Sequence, residues 1–311
     1  MERGNHTSSE FLLLGFSGNS EQQQFTFGLF LWMYLTGLLG NLLIILTIRS
    51  VSHLHTPMYF FLSHLSFVDL CLTTTTVPKM LFNIQTRKKT ISYAGCLSQM
   101  YFFIFLGLMD SFLLTVMAYD RYEAICHPLH YSLIMSPQLC VFLVAGAWFI
   151  TFLHALLHTV LTAQLSFCGD NKIPHFYCDL TALLELSCSD TTTNEVVIFT
   201  VAGLLGIAPP MCILASYACI VSALLKLPSA RSKRRAFSTC SSHFTVVTLF
   251  YGAGLGVHFH PTSSHSKYED LVASVMYTVV TPMLNPLIYS LRNEDMKGAL
   301  RKLFLGKQSL L

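Results

Sequence analysis

Seven long apolar stretches separated by short polar ones take up most of the 311 residues, at about 25–48, 57–80, 92–121, 139–162, 195–225, 237–260 and 270–291. A hydrocarbon core of about 30 Å needs about 20 apolar residues per helix. Each stretch is therefore long enough to cross a bilayer, and together they predict an all-α membrane protein, a seven-transmembrane helix bundle. The pattern divides the chain into a polar tail at 1–24, the bundle at 25–291 and a second tail at 292–311. In the second tail Met296, Leu300, Leu303 and Phe304 alternate with Lys297, Arg301 and Lys302 at helical spacing, which predicts a short amphipathic helix lying in the membrane surface. In the first tail Phe11-Leu12-Leu13-Leu14 is too brief for the apolar core of a cleavable leader, so the first span acts as the anchor.

Composition agrees: 53% of residues are hydrophobic and only 11% charged, with a mean hydropathy of +0.55, where a soluble domain carries roughly a quarter charged residues. The spans leave no room for a soluble enzymatic domain, and no Gly-rich phosphate loop or basic-aromatic nucleic-acid motif is present. With the first tail outside, 12 of the 19 Lys and Arg fall on the inner side, among them the run from Lys226 to Arg235. That excess favours an extracellular N-terminus. Arg87-Lys88-Lys89 in the first outer loop opposes it, while Asn5-His6-Thr7, a glycosylation acceptor usable only in the lumen, supports it.

Polar residues at lipid depth are costly, so they carry the functional candidates. Asn41 sits in the middle of span one, where its amide should bond across to another helix. Asp69 in span two and Asp110 in span three are two buried acids, accompanied by Ser66, Ser111 and the amide of Asn285. Such oxygen-rich surroundings suit a small cation such as sodium, and suit equally a protonated, hydrogen-bonded acid pair. Asp120-Arg121 closes span three on the inner side, either as a switch or as a solvated helix end. His154 and His158 share one face of span four, where satisfied core histidines are the simpler reading, although His158 is high enough to touch a ligand. Pro209-Pro210 bends span five, Tyr217 places a phenol near its inner end, and Pro286 after Asn285 breaks the ladder of span seven, which can then take two arrangements.

Of the 10 cysteines, Cys96, Cys168, Cys178 and Cys188 fall on the outer, oxidising side, and four cysteines allow three pairings that spacing does not separate. Cys71, Cys126, Cys140, Cys212, Cys219 and Cys240 read as small core residues. His175 with Cys178, and His258-Phe259-His260, have incomplete metal spacing and read as disulfide and rim residues.

Three groups of residues narrow the class: Met117-Ala118-Tyr119-Asp120-Arg121-Tyr122 with Ala124-Ile125-Cys126; Arg235-Ala236-Phe237-Ser238-Thr239-Cys240 with Ser242-His243 and Phe250-Tyr251-Gly252; and Pro282-Met283-Leu284-Asn285-Pro286-Leu287-Ile288-Tyr289. In combination they resemble the vertebrate odorant (olfactory) receptors among the rhodopsin-like G-protein-coupled receptors, and the likeness runs from about Asn5 to Leu305. The resemblance implies bridges Cys96 to Cys178 and Cys168 to Cys188, and a sodium-type pocket of Asn41, Asp69, Asp110 and Asn285 that favours the inactive state. It implies a switch of Asp120, Arg121, Tyr122, Tyr217, Asn285, Pro286 and Tyr289, in which Arg121 leaves Asp120 and the two tyrosines Tyr217 and Tyr289 approach it. Together with the helical period it also gathers an outer cavity from Phe103, Ile104, Gly107 and Leu108, from Val201, Ala202 and Leu205, from Tyr251, Leu255 and His258, and from Val275 and Thr278, with His158 alongside.

Such a cavity is mostly apolar with a few polar handles, His258, Tyr251 and Thr278, which suits a small molecule. Phe103 stands where amine receptors place an Asp, so the implied ligand is a small neutral or weakly polar volatile. The implied partner is a stimulatory G protein of olfactory type, raising cyclic AMP at the plasma membrane of sensory cilia, with no chemistry performed and no cofactor beyond a sodium ion. Three departures stand out. Asp110 replaces the usual Glu, and Gly252, Gly254 and Gly256 follow Tyr251 in a region where most rhodopsin-like receptors carry a Trp and then a Pro. Glu123 replaces the apolar residue, commonly Val, after Arg-Tyr, and could pair with the basic third loop or repel an acidic partner surface.

Rival classes are weaker. A transporter calls for internal repeats with matching broken helices, and a membrane enzyme for convergent catalytic groups at one depth; neither pattern is present. A rhodopsin-like receptor for a non-volatile metabolite is the nearer alternative. Glu123→Val is expected to change basal coupling, measured as cyclic AMP without added odorant; basal and odorant-driven levels equal to the parent chain at equal surface expression would overturn this.

Overall fold

A computed structural model describes residues 10–16, 19–169, 171–226, 230–258 and 266–305, with the side chains at 230–239, 255–258, 266–269, 291–292 and 304–305 outside the description. The glycosylation candidate Asn5 lies outside the described residues.

The chain starts as strand β1 (Glu10–Leu13) and enters helix α1 (Ser20–Ser50) through a capping box, in which Asn19 and Gln22 each bond the other's backbone N–H. Helix α2 (Pro57–Thr86) opens with a proline in its first turn, where a missing N–H costs nothing, and stops at Arg87, held in the left-handed region at φ 56°. Strand β2 (Thr90–Ser92) leads into α3 (Tyr93–Cys126), whose Ser92 cap accepts from the Gly95 N–H. The single turn α4 (Tyr131–Ile134) precedes α5 (Pro137–Ala163). The outer loop after α5 holds β3 (Lys172–Ile173) and α6 (Leu180–Glu185). The fifth crossing is compound: α7 (Thr192–Val197) continues through a π-helical turn, Ile198–Ala202, into α8 (Gly203–Lys226). Helix α9 (Ala230–His258) is the sixth crossing. The seventh joins α10 (Ser266–Val275) to α11 (Thr281–Arg292) through a second π-helical turn, Met276–Val280, and α12 (Glu294–Leu305) follows.

Among the described residues six helical segments, all but α9, are long and apolar enough to cross a membrane. The first, fourth and fifth overrun the predicted spans at both ends and the second and third at their C-terminal ends, because a helix does not have to stop at the edge of the hydrocarbon. Their surfaces are apolar on both sides. Trp32, Phe149 and Met211 are 61%, 63% and 58% exposed to what would be lipid, while Leu65, Met109 and Leu113 are closed inside. A helix hydrophobic all round is the mark of a membrane span. Cys140 and Cys240 are core residues as expected, but Cys212 and Cys219 lie on the exposed side of α8, because an apolar residue in lipid has no need of a protein partner.

Helix α3 is the centre of the bundle, packed against α2, α5, α8 and α9. On the outer face the tail is less simple than its polarity suggested. Strand β1 pairs antiparallel with β2 and parallel with β3, and Phe11 and Leu13 are 1% and 2% exposed, packed against the Cys96–Cys178 region. The structure joins Cys96 to Cys178 and Cys168 to Cys188, so the long second outer loop is tied to the top of α3 and to itself.

On the opposite side of the bundle α1 meets α11 closely. A Cβ on Gly40 would lie 2.9 Å from the Pro286 ring, and one on Gly37 would touch Met283. Asn41 bonds across this contact, its amide donating to the Pro282 carbonyl at 3.0 Å and to the Gly37 carbonyl at 3.1 Å. Gly40→Val is therefore expected to push α11 away and cost about 1–3 kcal/mol, read as a lower unfolding temperature of the purified receptor; an unchanged temperature would mean the contact is looser than drawn.

Candidate functional site

Three layers of polar and aromatic residues run down the bundle. In the outer layer Phe103 of α3 lies 4.6 Å, ring to ring, from Tyr177 of the second outer loop and 5.9 Å from Tyr277 of the second π-helical turn. Tyr277 also meets Phe250 at 5.2 Å, and its hydroxyl fills the space where a Cβ on Gly107 would stand. Tyr251 and Ser111 exchange a 2.7 Å hydrogen bond between α9 and α3, and Val275 packs in the same cluster as Phe103. Leu108 is half-buried on α3, and Val201 and Ala202 lie within the first π-helical turn, with Leu205 one turn further on.

Other expected members of this layer are placed differently. Ile104 turns toward the cluster beneath the Cys96–Cys178 bridge. Thr278 donates its O–H to the Ser274 carbonyl one turn back at 2.8 Å, so its hydroxyl has only acceptor capacity left for a ligand. His158 is buried against His154, ring centroids 4.5 Å apart, and its Nε2 has no partner. The side chains of Leu255 and His258 lie outside the described ones. Sequence reasoning missed Tyr177 and Tyr277. The signal for Tyr177 was its place beside Cys178, and for Tyr277 its place one residue before Thr278.

In the middle layer Asn285 donates to the Asp69 carboxylate at 2.9 Å. Asp69 and Asp110 are buried within electrostatic reach of each other, and Asp110 Oδ1 and Asn285 Oδ1 have no hydrogen-bond partner. Buried acceptors lacking donors fit a small hard cation or shared protons. One member of the implied pocket, Asn41, and one accompanying hydroxyl, Ser111, are engaged elsewhere. Asn41 is turned to the Pro282 carbonyl and Ser111 to Tyr251, so neither side chain is oriented by the acids.

In the inner layer the Asp120 carboxylate accepts from the Tyr131 hydroxyl at 2.7 Å. Burial, and then the neighbouring carboxylate, push the Tyr131 phenol well above its usual value, so it stays a donor. No Asp120–Arg121 ion pair occurs among the described residues; Arg121 is 8% exposed and its Nη2 has no partner. Helical geometry explains the correction, since neighbours in sequence do not face each other on a helix. Tyr217 lies within electrostatic reach of Arg121, but its hydroxyl is engaged by His243. His243 Nε2 meets the Leu114 carbonyl at 3.0 Å and must donate to it, which leaves Nδ1 to accept from Tyr217 at 2.7 Å. One imidazole thus ties α3, α8 and α9 together. Tyr289 is buried with an unpartnered hydroxyl. Asn293 caps α12 by accepting from the Asp295 and Met296 N–H groups, and it accepts from Tyr59 of α2 at 3.1 Å.

The sequence profile of the olfactory receptor family matches residues 30–307. The chain belongs to the olfactory receptor family. Gorilla olfactory receptor 1G1 is 60% identical over 97% of each chain, and mouse olfactory receptor 1M1 is 58% identical over 99% of each. Squid rhodopsin has the same fold, with a TM-score of 0.70 at 19% identity, covering 93% of this chain and 87% of its own. The protein is thus a multi-pass membrane receptor of the G-protein-coupled class, taking a small-molecule ligand and a G protein as partners, and is not an enzyme.

At the inner end of α3 in this olfactory receptor the acidic side chains are engaged by local bonds. Glu123 is 5% exposed and meets His127 at 3.0 Å, one turn along its own helix, while the basic third-loop side chains at 230–239 lie outside the described ones. Tyr122 lies against the same His127 ring at 5.3 Å. Removing the Tyr131 hydroxyl leaves Asp120 without its neutral donor. Tyr131→Phe is accordingly expected to raise signalling in the absence of odorant about two- to tenfold, as the loss of one hydrogen bond to a charged group biases the resting state. Basal cyclic AMP at matched surface expression is the measurement, and a value equal to the parent would show that the bond does not hold the resting state.

Proposed function

We propose that this olfactory receptor binds a small neutral or weakly polar volatile between the outer halves of α3, α8, α9 and the seventh crossing, and answers by activating a stimulatory G protein of olfactory type that raises cyclic AMP. The observation that carries the reading is the convergence of Phe103, Tyr177, Tyr251, Tyr277 and Val275. This set offers aromatic faces and hydroxyls with no fixed charge, which favours a ligand without one. His258, whose side chain lies outside the described ones, is a further polar handle in this reading.

Signalling is a population shift. An odorant that fits better when α9 has moved biases the equilibrium by its difference in affinity between the two arrangements. The unpartnered Arg121 Nη2 and Tyr289 hydroxyl supply the other end of that equilibrium, because both gain partners only in an arrangement unlike the resting one. Motion of α9 has to break the His243 bridge, which releases Tyr217 toward Arg121 and opens an inner groove for a G-protein helix. A sodium ion at Asp69 and Asp110 would hold the resting arrangement. The reading places the tail at 1–24 outside, the bundle at 25–291 in the plasma membrane of olfactory cilia, and the tail at 292–311 inside.

Cells expressing the receptor with an olfactory-type stimulatory G protein, screened against neutral volatiles, are expected to raise cyclic AMP. The response should vanish in Arg121→Ala and shift about tenfold in potency in His258→Ala, the equivalent of one lost hydrogen bond. Silence across the panel despite surface expression, or an undiminished response in Arg121→Ala, would overturn the proposal.

A further inference from the structure

A cavity opens on the outer face between β1, α1, the outer end of α2 and the second outer loop, with a volume of about 110 Å³. Its polar lining residues are not among the candidates around Phe103, while its apolar floor is continuous with the cluster that holds Phe103 and Tyr177. Its floor is apolar, made by Met80 and Ile84 of α2 with Phe16 and Phe176. Its rim carries Arg87 and Lys89 and, among the described residues, no Asp or Glu, so that lining has a net positive charge.

Three polar groups there are available to an occupant. Arg87 sits at the left-handed end of α2, exposed, and makes no ion pair among the described residues. Lys89 Nζ donates to the Leu14 carbonyl at 2.7 Å and the Phe16 carbonyl at 3.3 Å, which leaves a third N–H. Asn83 lines the cavity at 7% exposure, and its amide oxygen has no hydrogen-bond partner. No bond therefore fixes which end of that amide faces inward, and its NH2 can serve an anion.

We propose that this cavity binds a short aliphatic carboxylate, with the anion on Arg87, Lys89 and Asn83 and the carbon chain on Met80, Ile84 and the two phenylalanines. Two cations without an acid select an anion, and a guanidinium with an amide matches the paired oxygens of a carboxylate. The size follows from the volume: a cavity of about 150 Å³ holds benzene, so about 110 Å³ holds a carboxylate of about three carbons. Phe176 connects the two sites, its ring lying 5.1 Å from Tyr177, which in turn covers Phe103.

The test is binding of propionate to the purified full-length receptor in lipid nanodiscs, followed by saturation-transfer NMR with propionamide as the uncharged control. Arg87→Asn removes the charge while keeping a residue that tolerates positive φ, and Asn83→Leu removes the amide; both are checked for an unfolding temperature equal to the parent. Propionate should bind at least tenfold more tightly than propionamide, lose at least tenfold in Arg87→Asn and weaken in Asn83→Leu. No propionate binding by the folded parent, equal binding of propionamide, or unaltered binding in Arg87→Asn would overturn the proposal. Because the readout is binding rather than cyclic AMP, its failure is distinguishable from a failure of odorant signalling.

Discussion

Every polar group placed at membrane depth has to find its partner inside the bundle, since no water is present to take its place. That constraint orders this receptor from α1 to α12. The Asn41 amide meets the carbonyl of Pro282, whose lone pairs are released by the proline at 286 four residues on, and so α1 is drawn against α11 closely enough to require Gly40. Asn285 meets Asp69 and draws α11 to α2. His243 joins the Leu114 carbonyl to Tyr217 and closes α9 over α3 and α8. The apolar surfaces between these points supply the packing. The few buried bonds determine which faces meet, because lipid is as good a solvent for Leu as another helix is.

The places where the constraint is broken are as informative. Asp110, Arg121 and Tyr289 each leave a buried polar atom without a partner. They lie along the middle and inner layers, on the path a signal must take from the outer aromatic cluster to the cytoplasmic mouth. A resting state with unsatisfied groups is poised, since any arrangement that satisfies them gains the cost they now carry. Local bonds resist that gain: Tyr131 on Asp120, His127 on Glu123 and His243 on Tyr217. In the population shift proposed above, these unpartnered groups and local bonds are what a ligand's differential affinity has to work against.

The outer face obeys a different rule, since water competes there for every hydrogen bond. Its order comes from covalent ties and from a small sheet. The two bridges pin the second outer loop, β1 joins the first and second loops, and Lys89 holds the carbonyls of Leu14 and Phe16. Tyr177 is thereby delivered onto Phe103, and Phe176 onto the vestibule cavity. One loop thus serves both the ligand layer and the entrance above it.

The sequence by itself determined the seven crossings, their approximate limits, the amphipathic final helix and the family, because hydrophobic length and local motifs need no knowledge of neighbours. It also named the polar residues at depth, since Asn41, Asp69, Asp110 and Arg121 stand out in any apolar run. Only the tertiary structure decided whom each of them meets. Asp120 and Arg121 are adjacent in sequence yet point to different sides of a helix, so the carboxylate's donor is Tyr131, eleven residues away. Asn41 and Asp69 were grouped by depth, but depth fixes height and leaves rotation about the helix axis open; packing against α11 turned Asn41 to a backbone carbonyl. Tyr177 and Tyr277 escaped notice for a related reason: one is positioned by a disulfide-bound loop and the other by a π-helical turn that shifts the helical period. Strand β1 in a tail read as polar needed partners 80 and 160 residues away, and no local pattern records such a pairing.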